Sequence, residues 1–150
     1  MSLRMVRGGV TAERLLLVDD SLDEREMYAE YFRAKGYCTL QAANARDGYR
    51  MAADLAPAVV IVDVKLAGDE DGLGLTARLK RDSDTRRAAV IVLTACAFES
   101  DRQAAVQAGC DRFITKPCTP DALEAAVNAL IRQRASTPGA PPTLRDRLTV

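Results

Sequence analysis

The sequence predicts an α/β fold: five βα units wound about a parallel five-stranded sheet, with helices on both faces. Three observations carry that prediction. Short apolar runs recur along the chain, and segments with helical periodicity separate them. Three of the runs stop at a polar or charged residue: Leu15-Leu16-Leu17-Val18 at Asp19-Asp20, Ala58-Val59-Val60-Ile61-Val62 at Asp63, and Val90-Ile91-Val92-Leu93 at Thr94. A shorter run, Arg112-Phe113-Ile114-Thr115, stops at Lys116-Pro117. Strict alternation of strand and helix implies parallel strands joined by right-handed crossovers. In such sheets ligands bind at the carboxyl ends of the strands, near the topological switch point.

The elements follow in order. After Asp20, Ser21-Leu22-Asp23-Glu24 has the S-x-x-E form of a capping box, so a helix starts there. Met27, Tyr28, Tyr31 and Phe32 give that helix one apolar stripe, and Gly36 ends it. Tyr37 to Gln41 reads as a short strand. Asn44 caps a second helix running to about Leu55, weakened by Gly48. The third strand ends at Asp63, and Val64 to Asp71 is a loop. A third helix covers about Gly72 to Lys80, with Leu75 and Leu79 on one face. Polar residues Arg81 to Arg87 lead into the fourth strand. Phe98 to Ala108 is a fourth helix, stopped by Gly109. Thr119 caps a fifth, with Pro120 in its first turn, Asp121 near the positive end of its dipole, and Leu123, Val127, Leu130 and Ile131 as its buried stripe.

Three segments result. Residues 1–13 read as a disordered leader, 14–134 as one α/β domain, and 135–150 as a Pro-rich linker or tail around Ser136-Thr137-Pro138-Gly139-Ala140-Pro141-Pro142. The leader carries Arg4 and Arg7 but no apolar core, so it is not a secretory signal. No apolar run approaches the about 20 residues of a membrane span. Lys+Arg and Asp+Glu each number 21, and the net charge of zero gives no electrostatic ground for nucleic acid or an anionic membrane as partner. The four cysteines, Cys38, Cys96, Cys110 and Cys118, lack the close spacing of a zinc or redox motif, and with no histidine in the chain they read as free buried thiols of a reducing cytoplasm.

The strand ends carry the chemistry. Asp19, Asp20 and Asp63 brought to one edge repel one another, and a hard divalent cation removes that conflict. Mg²⁺ favours oxygen donors and keeps several waters, so a few carboxylates and a carbonyl suffice. With a metal present, Asp63 can act as a nucleophile towards phosphorus. The remaining tasks are alignment and charge stabilisation. Lys116 supplies a compact cation near the phosphoryl oxygens and Thr94 a hydrogen bond.

From about Arg14 to Arg134 the chain resembles the receiver domain of two-component response regulators. The acidic pair Asp19-Asp20, the lone Asp63, Thr94-Ala95 and Lys116-Pro117 carry the resemblance through their combination and spacing. It implies a flavodoxin-like sheet with strand order 2-1-3-4-5. It further implies that Asp63 is the phosphoacceptor, that Asp19, Asp20, Asp63 and the main-chain carbonyl of Lys65 hold Mg²⁺, and that Thr94 and Lys116 contact the phosphoryl group. The bond between Lys116 and Pro117 is expected to be cis. Thr94 drawn towards the phosphoryl group would couple to inward rotation of Phe113.

The implied partners are a histidine kinase or phosphotransfer protein as donor, and a downstream protein or output domain as target. A homodimer through the face of the fourth helix, fifth strand and fifth helix belongs to the same expectation. The domain would catalyse its own phosphorylation and slow dephosphorylation without turning over outside substrates.

The chain departs from the family's pattern after Asp63. Ala67 stands where many members have proline, and Asp71-Gly72 comes one place late, which implies a one-residue insertion within Ala67-Gly68-Asp69-Glu70. Lys65 puts a long cation where it could overhang the phosphoryl site and alter phosphate lifetime. Unequal dephosphorylation rates of wild type and Lys65→Asn are expected; equal rates leave the side chain without that role. Two rival readings remain at this level. A Mg²⁺-dependent phosphatase of the haloacid-dehalogenase kind would need a second Asp where Lys65 stands. A receiver-like binding module that is never phosphorylated would have lost acidic residues or the lysine, and all are present.

Overall fold

The computed structural model describes residues 4–6, 9–95 and 98–135. Five strands, β1 (Arg14–Val18), β2 (Cys38–Ala42), β3 (Val59–Val62), β4 (Ala89–Thr94) and β5 (Arg112–Thr115), alternate with five helices, α1 (Leu22–Ala34), α2 (Ala45–Leu55), α3 (Gly72–Arg81), α4 (Glu99–Ala108) and α5 (Pro120–Ala135). All strand pairings in this sheet are parallel, in the order β2-β1-β3-β4-β5. The reversal of direction in that order falls between β1 and β3, so their carboxyl ends meet at the switch point.

Period-two alternation divides the apolar strands between two cores. Leu15, Leu17, Val59, Ile61, Ile91 and Leu93 face one side, packed with Tyr28, Ala29 and Phe32 of α1 and Leu123, Val127 and Leu130 of α5. Leu16, Val18, Val60, Val62, Val90 and Val92 face the other, against Ala45 and Ala52 of α2, Leu75 and Leu79 of α3 and Ala105 of α4. Burial on both faces is why these strands read as unbroken apolar runs.

The helix starts are locally encoded. The Ser21 hydroxyl accepts from the Glu24 N–H, the Asn44 side chain from Asp47, the Asp71 carboxylate from Gly74 and the Thr119 hydroxyl from Ala122. Gly48 has a packing reason to interrupt α2. A Cβ there would meet Val18 Cγ2 at 3.0 Å and Leu75 Cδ2 at 3.3 Å. The helix therefore crosses β1 and α3 closely, offsetting the roughly 1 kcal/mol that glycine costs in a helix.

Four details differ from the sequence expectations. Met27 is exposed, because the buried face of α1 narrows to Tyr28, Ala29 and Phe32. The second strand starts at Cys38, since Gly36 has a positive φ and the Tyr37 N–H is drawn back to the Phe32 carbonyl. Cys38 is exposed on this edge strand and is not a buried thiol, while Cys110 and Cys118 are free and partly buried. Cys96 lies outside the described residues. Within the expected leader, Arg4–Val6 and Gly9–Thr11 pair as a short antiparallel hairpin, with Arg4 opposite Thr11; the β-branched Val6, Val10 and Thr11 favour extended backbone. The proposed linker lies outside the described residues beyond position 135.

Candidate functional site

Main-chain hydrogen bonding carries the sheet one residue past the strands and so aligns the polar residues at their ends. The Asp19 N–H donates to the Ala42 carbonyl at 3.1 Å, the Asp63 N–H to the Val18 carbonyl at 3.0 Å, and the Lys116 N–H to the Thr94 carbonyl at 2.8 Å. Asp19, Asp63 and Lys116 therefore come together at one edge although 97 positions separate the first from the last (116 − 19). The Lys116–Pro117 bond is cis, as expected from the resemblance.

Lys116 is the electrostatic centre. Its ammonium donates to Asp63 Oδ2 at 2.6 Å and to Glu24 Oε1, and lies 3.8 Å from Asp19 Oδ2. The other oxygens are fixed by backbone: Asp19 Oδ1 accepts from the Ser21 N–H at 2.9 Å, and Asp63 Oδ1 from the Lys65 N–H at 3.1 Å. Burial works against charge on Lys116, but hydrogen bonds to Asp63 and Glu24 outweigh it and hold the ammonium's pKa well above its ordinary value. Burial raises the Asp19 pKa, and the carboxylates of Asp63 and Glu24 push the same way; the Ser21 N–H and Lys116 only partly oppose them. The site thus holds more negative charge than one ammonium neutralises.

Each expected residue can be located. Asp19, Asp63 and Lys116 form the cluster. Thr94 is buried at the end of β4. Phe113 is half-buried and packs with the core beneath α2, α3 and α4. Lys65 is exposed, and it is its backbone N–H that touches Asp63. Asp20 is exposed and does not join the cluster. Among the described residues, the acidic trio with ligand oxygens within 4.8 Å of one another is Asp19, Glu24 and Asp63.

Sequence reasoning does not bring Glu24 to the site, because the S-x-x-E pattern gives it a partner within its own helix. In a capping box its carboxylate returns to the N–H of the cap residue. Here the Ser21 N–H is already taken by Asp19 Oδ1, so the box is only half formed and the Glu24 carboxylate turns to Lys116. The signal was an acidic residue in the first turn of a helix that opens directly onto an acidic pair.

The loop after Asp63, where the sequence departs from the family's pattern, is held by contacts of its own. Gly68 is exposed and has φ +102°, with nothing within 4 Å of where a Cβ would stand. Ala67 bridges to Asn44, Glu70 pairs with Arg78 of α3 at 2.8 Å, and the Gly72 N–H donates to the Val64 carbonyl at 2.8 Å. The Arg78 guanidinium in turn lies over the Tyr49 ring, 4.2 Å from its centroid. The loop is therefore tied at both ends and to α2.

Residues 15–128 match the response regulator receiver domain family. The chain belongs to that family. Among curated relatives, the receiver is 34% identical over 124 residues to the phosphate regulon transcriptional regulatory protein PhoB of Pseudomonas aeruginosa, covering 83% of this chain and 54% of that protein. It is 38% identical over 125 residues to the response regulator Rre1 of Synechocystis sp., covering 82% and 54%. The chain thus spans about half the length of these relatives. A solved CheY-like response regulator receiver domain protein from Methanospirillum hungatei superposes with a TM-score of 0.80 at 22% identity, covering 85% of this chain and all of that one, and it has the same fold. The family match sets aside the phosphatase reading. Among the described residues no helix is long and apolar enough to cross a membrane.

Proposed function

We propose that this receiver domain accepts a phosphoryl group on Asp63 and passes the change to a protein partner. The observation that carries the reading is the Lys116 ammonium held 2.6 Å from Asp63 Oδ2 at the switch point of the sheet. In the reaction an Asp63 carboxylate oxygen forms a bond to phosphorus as the bond from phosphorus to the donor breaks, and the donor leaves with that electron pair. Lys116 and the Thr94 hydroxyl then face the phosphoryl oxygens. Hydrolysis reverses the modification, with water attacking phosphorus and Asp63 leaving as a carboxylate. The chain carries its own phosphoryl group and does not turn over outside substrates.

The donor set suits a hard cation: carboxylate oxygens crowded with too little positive charge. Asp19 and Asp63 would hold Mg²⁺, with Asp20 and the Lys65 main-chain carbonyl completing the protein's share. Bound there, it would neutralise charge on the incoming phosphoryl group. The donor is a histidine kinase or phosphotransfer protein in the cytoplasm. The output is a changed surface over α4, β5 and α5, with Thr94 and Phe113 as the coupled switch, read by a downstream protein, an output domain or a second copy of the chain.

Incubation with acetyl phosphate and Mg²⁺ tests this. Wild type should gain the mass of one phosphoryl group, and Asp63→Asn should gain none. Uptake equal in both would move the acceptor elsewhere. No uptake from acetyl phosphate or from a kinase donor would leave a binding module that is not phosphorylated.

A further inference from the structure

Glu24 is the one carboxylate in the cluster with no task in the phosphoryl chemistry, yet it is hydrogen-bonded to the group that has one. It stands in the first turn of α1, on the outer side of Lys116, with about a third of its side chain exposed. Its freedom to reach Lys116 follows from Asp19 having taken the Ser21 N–H. We propose that Glu24 is a positioning residue that shares the Lys116 ammonium with the phosphoryl group and so weakens retention of the phosphorylated state. This rests on Asp63 being the acceptor.

In the resting chain Lys116 has two hydrogen-bonded carboxylates, Asp63 and Glu24, and Asp19 at 3.8 Å. Once Asp63 is phosphorylated to the acyl phosphate, its charge passes to phosphoryl oxygens. Glu24 is then the nearest ionised side chain still able to compete for the ammonium. It does so in two ways: it takes one of the three N–H donors, and it adds a negative charge beside a dianion in an already acidic site. Loss of that charge strengthens the hold on the phosphoryl group. Across about 6 Å in a largely hydrated site, a unit charge corresponds to about a three- to tenfold change in affinity. The fold should not depend on the Glu24 carboxylate, because the cap uses its backbone N–H.

Beryllium trifluoride with Mg²⁺, followed by fluorine NMR, is the probe for the phosphorylated state. Glu24→Gln should bind it about three- to tenfold more tightly than wild type, and lengthen the phosphoryl half-life in the same direction. Glu24→Asp, which keeps the charge, should stay close to wild type. Before any metal is added, the Lys116 side-chain nitrogen resonance should shift in Glu24→Gln. Equal or weaker binding by Glu24→Gln, an equal shift in affinity for Glu24→Asp, or an unmoved Lys116 resonance overturns the proposal. Wild type failing to bind the probe at all would instead remove the acceptor reading beneath it, and this inference with it.

Discussion

Gly72→Ala should unfold at markedly lower denaturant and accept phosphoryl groups about 100-fold more slowly than wild type. The reason is room and not dihedral freedom. A Cβ on Gly72 would stand 2.0 Å from the Asp63 carbonyl oxygen, 2.8 Å from its carbonyl carbon and 2.9 Å from Val64 Cα. All three are backbone atoms, so no flexible side chain can yield. Either the start of α3 lifts away, breaking the bond from the Gly72 N–H to the Val64 carbonyl, or the Asp63 backbone retreats from Lys116. Overpacking of this kind costs about 1–3 kcal/mol, and contact with backbone puts it at the upper end. An acceptor misplaced by about 1 Å loses about two orders of magnitude in rate. Gly68→Ala is the control. It carries the strain of φ +102°, but nothing lies within 4 Å of the added Cβ, so stability should fall by about 1–2 kcal/mol while phosphorylation stays near wild type. Urea unfolding and acetyl phosphate uptake on both variants separate the two effects. A Gly72→Ala chain phosphorylated at the wild-type rate would mean that α3 alone gives way.

The sequence was most legible where burial is complete. β1, β3 and β4 are covered on both faces, so their composition leaves few alternatives to a parallel strand. The caps at Ser21, Asn44 and Thr119 are local chemistry and could be read as such. The exposed edge of β2, with Cys38 in water, carries less signal, and its boundary moved by a residue. The three-residue strands before Arg14 have no periodicity to detect.

The site divides in the same way. Asp19, Asp63 and Lys116 were legible because a charge that ends a buried strand in a parallel sheet has one edge to go to. Glu24 was not, because the local rule for its position supplies a sufficient partner. The choice between Ser21 and Lys116 is made by Asp19, through a contact that only the assembled fold creates. Asp20 shows the reverse case. Its neighbour Asp19 turns in and is buried, and Asp20, one residue further along, is exposed.

At the opposite edge of the sheet, Asp111→Ala should cost about 3–5 kcal/mol of stability while leaving the chemistry of Asp63 unchanged at temperatures where the chain is folded. Asp111 Oδ2 accepts from the Val90 N–H at 2.8 Å and from Lys80 Nζ at 3.1 Å, and Lys80 also donates to the Ala88 carbonyl at 2.9 Å. The side chains of Lys80 and Asp111 are only 8% and 13% exposed. One carboxylate thus joins the start of β5 to the start of β4 and fastens the last turn of α3 over both. Removing it leaves an ammonium without its counter-ion and a main-chain N–H without its acceptor, and an uncompensated buried charge costs more than the intact pair contributes. Lys80→Met in the same chain should therefore recover part of the loss, because it withdraws the stranded charge. The two substitutions should fall short of additive by about 1–3 kcal/mol. Urea unfolding of the two single variants and the double variant measures that coupling. Full additivity would show that Lys80 reaches water once its partner is gone, so that the penalty for a stranded charge never arises.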